Sequence, residues 1–212
     1  MINKIASFSL WIGVSFLMVG CATGRGILSV QVQMPDNPTS VQSVRIDEVI
    51  DKRVYEMHPS KPSIPSLMNE EDYAIDEIRS RAIARKRGGY GNALGDIVLP
   101  EGDSVRNLVR NIITRAFREA GVSVLKSGEA GAANAVPVKI EINQFWGWIT
   151  PKFTHATIEF ISNVKVTGNI PGFVGGKEIK GHSAISSMSP STRVWVAAVN
   201  MLIDDMVQKA KK

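Results

Sequence analysis

Three segments in the C-terminal half of the chain alternate apolar and polar residues, and they constrain the fold more than any other feature of the sequence. They cover residues 136–148, 154–167 and 177–186. Alternation with a period of two puts apolar side chains on one face of a strand and polar side chains on the other. Because short loops join the three segments, the sequence predicts an antiparallel meander with one buried face.

Residues 105–120 have the helical period instead, with apolar residues three and four positions apart on one face. Asp103 or Ser104 can cap the amino end of this helix, and Gly121 stands where a left-handed residue ends many helices. A strand over 122–125 follows directly. A helix with one apolar face that leads straight into a strand indicates a sheet for that helix to cover.

A second long helix is predicted near the C-terminus, since Ser189 can cap it and Pro190 suits its first position. Further strands are predicted at 44–49 and 97–99. The sequence thus predicts an α+β domain over 44–212. We expect an antiparallel or mixed sheet of about four or five strands, with two main helices packed on one face. The length of 212 residues suits a single domain.

The segment 54–95 is predicted as an insertion that carries a basic helix over 72–87. Glu77 and Arg81 have the spacing and order that stabilise a helix, and Arg81 and Arg85 would share one of its faces. The basic residues form a candidate contact for an anionic ligand or a partner. They are Arg79, Arg81, Arg85, Lys86 and Arg87. Such a cluster can bind anionic headgroups, and a solvated helix face is the alternative.

Trp146 and Trp148 lie near the end of the first alternating segment. Aromatic side chains at the end of a strand can form an exposed contact patch, so these two are a candidate aromatic site. Both are in phase with Ile140 and Ile142, which favours burial in the core as the alternative. The sequence leaves both interpretations open.

Residues 1–20 have the layout of a secretory signal, with one charge at Lys4 and then an apolar run over 5–19. A run of about 15 residues is short for a membrane span, which needs about 20. The run ends at Gly20, directly before Cys21, which is the single cysteine of the chain. This arrangement resembles a bacterial lipobox. The resemblance implies cleavage before Cys21 and acylation of that residue, palmitate being one of the attached chains.

Residues 21–43 are rich in glycine, proline and small polar residues, so we predict a tether between the lipid and the domain. Ala22, rather than an aspartate, follows the cysteine. By resemblance to enterobacterial sorting signals, this favours the outer membrane. The expected location is the inner leaflet of the outer membrane, with the domain facing the periplasm. Two or more acyl chains would make the anchor stable.

No pattern in the sequence indicates a catalytic or metal site. His58, His155 and His182 lack metal-ligand spacing, and a nucleophile elbow is absent from the sequence. Acylation of Cys21 would consume the single thiol. We therefore expect no enzyme activity, no metal and no cofactor other than the covalent lipid on Cys21. The net charge of +5 hints at anionic neighbours, but an exported, lipid-anchored protein rarely meets nucleic acid, which we do not expect as a partner.

The order of elements behind the lipobox resembles the YajG-like family of bacterial lipoproteins. The residues that carry the resemblance are 44–53, which end in Asp51 and Arg53, the helix-to-strand passage with 119–122, and the last helix with 202–205. The resemblance covers most of residues 44–208. It implies a small lipoprotein of the cell envelope, and the family offers no catalytic residues to transfer.

These observations predict a non-catalytic outer-membrane lipoprotein that serves as an accessory or scaffold component of an envelope assembly, transport or secretion system. The alternative is a binding module for an anionic envelope ligand, such as lipopolysaccharide, acidic lipid or peptidoglycan, which would use the basic insertion. The expected partners are the membrane, through acylated Cys21, and a protein of the envelope. A homo-oligomer also fits the sequence.

Overall fold

A computed structural model describes residues 24–88 and 92–212 of the protein. The predicted signal peptide and Cys21 lie outside these residues. The described chain forms eight strands and three α-helices. In chain order they are β1 (Gly26–Ile27), β2 (Ser43–Asp51), α1 (Asp76–Arg81), β3 (Ala82–Arg87), β4 (Ala93–Val98), α2 (Val105–Glu119), β5 (Ser123–Val124), β6 (Val136–Pro151), β7 (Ala156–Gly168), β8 (Lys177–Ser187) and α3 (Thr192–Lys211).

The long strand β6 organises the sheet. On one side it pairs antiparallel with β7 along nearly its whole length, and β7 pairs in turn with β8. On the other side it has two parallel neighbours in succession, β2 along its first half and β3 farther along. The sheet continues from β2 to β5, and separately from β3 to β4 and β1. Two short half-sheets therefore share one long strand.

The predicted sheet of four or five strands with two helices is wrong, because the structure has an eight-stranded mixed sheet and three helices. The three alternating segments do form the antiparallel meander β6–β8. The unexpected strands are β1 and β3, whereas β4 overlaps the strand predicted at 97–99 but begins earlier, at Ala93. Strand β3 and the first half of β4 come from the predicted insertion 54–95. Where β3 and β4 are covered on both faces, their sequences lack the alternation that identifies half-buried strands.

The basic helix predicted over 72–87 is also wrong. Helix α1 ends at Arg81, and the following six residues form β3. The expected ion pair between Glu77 and Arg81 is present within α1, but such pairs stabilise a helix by only about 0.2–0.5 kcal/mol. The first three residues of β3 are fully buried in the sheet. Burial of this kind outweighs the local preference for a helix.

Helices α2 and α3 pack side by side against one face of the sheet and cover the main hydrophobic core. Ser104 caps α2 by accepting a hydrogen bond from the Asn107 amide at 3.2 Å, and Gly121 adopts a φ of +79° just after the helix, both as predicted. Helix α3 begins at Thr192, two residues later than predicted. In the part of the chain that the structure describes, no helix combines the length and apolar character that crossing a membrane needs.

The opposite face of the sheet is covered by the insertion, around β3 and the second half of β6. A second hydrophobic cluster forms there from Leu67, Ile78, Ala82, Val98, Trp146 and Trp148. Trp146 meets Tyr55 edge-on, with the ring centroids 5.9 Å apart. The part of the insertion that precedes β3 is thus a third layer of the domain.

Part of the predicted tether over 21–43 also belongs to the domain. Strand β1 pairs with β4 at the edge of the sheet, with Gly26 opposite Ile97, and Leu28 is only 2% exposed in the main core. Gly95 has a φ of +142°, and a Cβ there would lie 1.9 Å from the carbonyl oxygen of Gly24. This close approach requires glycine. The described fold therefore begins at residue 24, about twenty residues earlier than the sequence predicts.

Candidate functional site

The five basic residues of the insertion do not form one exposed surface. Arg79 lies on α1 and pairs with Asp76. Arg81 is 8% exposed, its Nε donates to the Leu99 carbonyl at 2.8 Å, and it pairs with Glu77. Arg81 therefore ties the end of α1 to the residues after β4 and is not open to a ligand.

The other three basic residues of the insertion lie on β3. Arg85 is 7% exposed and lies opposite Asp96 of β4. Burial raises the pKa of Asp96, while a backbone hydrogen bond and the charge of Arg85 limit this rise. Lys86 and Arg87 are partly exposed. Because α1 ends at Arg81, Arg85 lies on β3. The two arginines therefore do not share a helix face. Anion binding through the insertion stays a prediction.

The two tryptophans of the candidate aromatic patch are buried. Trp146 is 0% exposed and Trp148 is 7% exposed, and both belong to the second hydrophobic cluster. They are not in phase with Ile140 and Ile142, because a bulge between Ile142 and Gln144 reverses the alternation of β6. The tryptophans therefore face the insertion, whereas the isoleucines face the helices. Both tryptophans pack in the interior.

Arg53 fills the junction where β2 leaves β6 and β3 takes its place. Its side chain is fully buried, and it donates to the Asp51 carboxylate at 2.7 and 2.9 Å. It also donates to the carbonyls of Ala82 at 2.6 Å and Arg79 at 2.9 Å. Backbone carbonyls inside a protein require partners. The guanidinium supplies these partners at the point where the sheet changes from one neighbour strand to the next.

A cavity of about 370 Å³ beside Arg53 is lined by acidic and basic side chains together, including Asp51, Asp76, Arg79 and Arg106. Tyr55 also lines it and donates to the Arg79 carbonyl at 2.8 Å. Burial raises the pKa of Tyr55 to about 12, so its hydroxyl remains a donor at neutral pH. Because Arg53 pairs with Asp51 and Arg79 pairs with Asp76, this cavity is a weak candidate for a ligand site.

A second cavity, of about 450 Å³, is lined by basic side chains and, among the described residues, by no acidic one. It lies between α2, the first half of β2 and the segment that follows β5, and we call it the basic pocket. Its charged lining residues are Arg45, Arg110, Arg118 and Lys126, and Asn111, Thr114 and Ser127 add neutral polar groups. Guanidinium groups make paired, charge-assisted hydrogen bonds to carboxylates and phosphates. Four cations around one cavity therefore suit an anionic ligand.

Two arginines are held in place at one wall of the basic pocket. Arg45 donates to both oxygens of Asp47, at 2.5 and 2.9 Å, and to the carbonyl of Ala132 at 2.5 Å. The hydrogen bond from Arg45 lowers the pKa of Asp47, and the charge of Arg110 adds to the effect. Arg110 donates to the Ile46 carbonyl at 2.7 Å. Both guanidinium groups are oriented by the protein before any ligand binds.

Arg118 forms the opposite wall of the basic pocket. It donates to the Pro35 carbonyl at 2.9 Å, while its Nε is buried and has no hydrogen-bond partner among the described residues. Asn37 holds this stretch of chain against β5, since it accepts from the Val124 amide at 2.8 Å and donates to the Val124 carbonyl at 3.1 Å. Lys126 is exposed at the rim. The cavity thus has arginines held by hydrogen bonds at its walls and one exposed cation, Lys126.

Known proteins give little guidance on this pocket. No family model matches the chain, and no curated protein matches it. A solved structure described as "Crystal structure of uncharacterized protein" is 8% identical to the chain, with a TM-score of 0.40. That similarity covers 89% of this chain and 94% of the other. The resemblance to YajG-like lipoproteins stays a prediction.

The sequence did not indicate the basic pocket. Its four cations come from β2, from two turns of α2 and from the segment after β5, so they form no run. One signal was present: Arg110, Thr114 and Arg118 are four residues apart and share one side of α2. In the described ranges 24–88 and 92–212, no group of three or more His, Cys, Asp or Glu side chains is placed to hold a metal ion.

Proposed function

We propose that the protein is a non-catalytic outer-membrane lipoprotein whose domain lies in the periplasm and serves as an accessory or scaffold in an envelope assembly, transport or secretion system. The observation that carries the proposal is the position of Cys21, the single cysteine of the chain, directly after an apolar run of signal-peptide length. Domain contacts would then supply the function. The proposed partners are a protein of the envelope and further copies of this chain.

Inhibition of the lipoprotein signal peptidase by globomycin tests the anchor. We expect a precursor to accumulate that is larger by the signal peptide, and we expect Cys21→Ala to leave the membrane fraction or to stay unprocessed. Met18→Leu, which brings the segment closer to the usual lipobox, is the matched control and should be processed normally. Processing of the Cys21→Ala variant at the same site would contradict the proposal.

A second candidate function rests on the basic pocket, which takes the place of the insertion as the site for an anionic envelope ligand. Arg110, Arg118 and Lys126 have no acidic partner within the described part of the chain, and the Nε of Arg118 is buried without a hydrogen bond. A buried donor without a partner costs free energy, which an oxyanion would recover. The observation that favours this function is therefore the cavity lined by four cations, one of which, Arg118, has a buried donor without a partner.

Titration calorimetry with inorganic pyrophosphate, followed by lipopolysaccharide, tests the second function. The variant with Arg110→Gln and Arg118→Gln should bind about 100-fold more weakly, since each lost charge-assisted hydrogen bond contributes about 1.5 kcal/mol. Arg106→Gln is the matched control, because it removes the same charge from the same helix outside the pocket and should bind as the unaltered protein does. Equal affinity for all three proteins would exclude the pocket as the anion site.

A further inference from the structure

Four segments meet at one end of the sheet, which we call the proximal end. Gly24 lies there, just before β1, and its amide donates to the Leu94 carbonyl at 2.8 Å. Because β3 runs parallel to the second half of β6, the β3–β4 connection and the β6–β7 turn leave the sheet at this same end. Pro151 pairs with Ala156, and Ala156 pairs with Ser187, so the connection from β8 to α3 also lies at the proximal end.

Two of these segments expose apolar side chains to solvent. Phe153, in the β6–β7 turn, is 104% exposed, and Met188, just after β8, is 87% exposed. Single exposed apolar residues are common on protein surfaces, but here two lie in neighbouring connections at the end of the sheet where the chain enters the domain. Aromatic and apolar side chains of this kind suit the boundary between headgroups and acyl chains.

The proximal end is also basic in sequence. Residues 22–28, 84–95, 149–157 and 184–193 contain no Asp or Glu, and their basic residues are Arg25, Arg85, Lys86, Arg87, Lys152 and Arg193. Of these, Arg25 pairs with Asp72, and Arg85 is buried opposite Asp96. Lys152 and Arg193 are exposed, and Lys86 and Arg87 are partly exposed. Basic side chains next to a membrane are attracted to the anionic headgroups of phospholipids. Apolar and basic groups therefore occur together at this end.

The chain between Cys21 and Gly24 limits the distance from the membrane to the domain. Three residues reach at most about 11 Å even when fully extended. Adjacent strands are about 4.8 Å apart, so the turn with Phe153, three strands away from β1, lies about 14 Å to the side of Gly24. A lipid on Cys21 would thus bring the whole proximal end close to the headgroup layer.

We propose that the proximal end of the sheet rests on the phospholipid surface that faces the periplasm, with Phe153 and Met188 in the headgroup boundary and the exposed Lys152 and Arg193 against lipid phosphates. This inference rests on the proposed acylation of Cys21. It fixes the orientation of the domain, since Arg45 of the basic pocket pairs with Pro137, near the start of β6 and far from Pro151. The basic pocket would therefore lie toward the end of the domain away from the membrane.

Fluorescence quenching of the full acylated protein in vesicles tests this orientation. The vesicles contain phosphatidylethanolamine and phosphatidylglycerol, with bromine atoms on the acyl chains near the headgroups. A fluorophore is attached to Phe153→Cys, to Met188→Cys or to Val174→Cys, one at a time, because an acylated Cys21 has no free thiol. Val174 is the matched control, since it is an exposed apolar residue, 70% accessible, in the turn at the opposite end of β7.

We expect strong quenching of the labels at 153 and 188 and none at 174. A variant with Lys152→Gln and Arg193→Gln should show weaker quenching at 153 when phosphatidylglycerol is present. Equal quenching at all three positions, or quenching at 174 alone, would overturn the orientation while leaving the anchor intact. Failure of the protein to join the vesicles, with no acyl chain found on Cys21 by mass spectrometry, would instead overturn both the proposed function and this inference.

Discussion

The arginines around the insertion and the arginines of the basic pocket carry the same charge in opposite environments. Arg53 and Arg81 are at most 8% exposed, and they donate to backbone carbonyls and carboxylates of the protein itself. Arg110 and Arg118 each donate to one backbone carbonyl and line a cavity. The first pair joins strands and helices, and the second pair lines the pocket proposed for an anionic ligand. Density of positive charge along the sequence therefore does not identify a binding site.

The largest expected effect is at the buried junction. Asp51→Asn leaves the fully buried charge of Arg53 without its carboxylate, and breaking a buried ion pair in this way costs about 3–5 kcal/mol. Urea denaturation should show this loss in the free energy of unfolding. A loss below about 1 kcal/mol would mean that the carbonyl partners alone satisfy Arg53.

The basic pocket should respond in the opposite way. Arg110→Gln and Arg118→Gln each remove one hydrogen bond to a backbone carbonyl, so each should lower the free energy of unfolding by about 1 kcal/mol or less. Urea denaturation under the same conditions measures this loss. If either variant unfolds as readily as Asp51→Asn, the pocket arginines are structural, and the distinction between the two groups fails.

One aspartate lies beside each group of arginines, and the pKa values of these two aspartates should be shifted in opposite directions. Burial raises the pKa of Asp96, so the folded protein holds this proton more tightly, and the contribution of Asp96 to stability falls as the pH rises from the ordinary aspartate value through the folded pKa. The hydrogen bond from Arg45 lowers the pKa of Asp47, so its contribution is lost as the pH falls through that lowered value. A titration followed by carboxyl carbon NMR should give a higher pKa for Asp96 than for Asp47.

The Asp96→Asn variant provides the control for that titration. As the pH rises from the ordinary pKa of aspartate, the melting temperature of Asp96→Asn should not show the decline that Asp96 causes in the unaltered protein. Asp47→Asn should still show that decline. Identical pH profiles for the unaltered protein and Asp96→Asn would contradict the assignment of the raised pKa to burial at this position.

The smallest expected effect is at Asp76→Asn. The Asp76 side chain is 90% exposed where it pairs with Arg79 on α1, and exposed ion pairs contribute at most about 1 kcal/mol. The free energy of unfolding should therefore change by a few tenths of a kcal/mol, about the size of an ordinary surface substitution. A change as large as that of Asp51→Asn would show that the whole insertion depends on its ion pairs.

The helix α2 and the meander β6–β8 could be predicted because each has one apolar face. Ser104 and Gly121 mark the ends of α2, and alternation marks β7, β8 and the part of β6 before its bulge. Strand β3 could not be predicted in this way, since residues covered on both faces show no period, and its charges resembled those of a surface helix. The face of β6 on which Trp146 lies could not be predicted, because a bulge near Gln144 reverses the alternation and no local sequence pattern reveals the bulge.

The candidate site could be predicted even less. Arg45, Arg110, Arg118 and Lys126 become neighbours only when β2, α2 and the end of β5 are assembled. Conversely, the basic run that the sequence makes obvious is largely used inside the fold, as Arg81 and Arg85 show. Proximity in space, burial and the satisfaction of donors decide which charges can bind, and none of these quantities can be read from neighbours along the chain.

The parallel pairing of distant strands has a consequence for the time that the protein takes to fold. Val44 pairs with Val136, and Gly26 pairs with Ile97, so neither β2 nor β1 can find its neighbour until a long stretch of chain has been made. Closing such long loops slows folding, and the apolar strands stay exposed to aggregation meanwhile. We therefore expect slow refolding in vitro, with a yield that falls as the protein concentration rises.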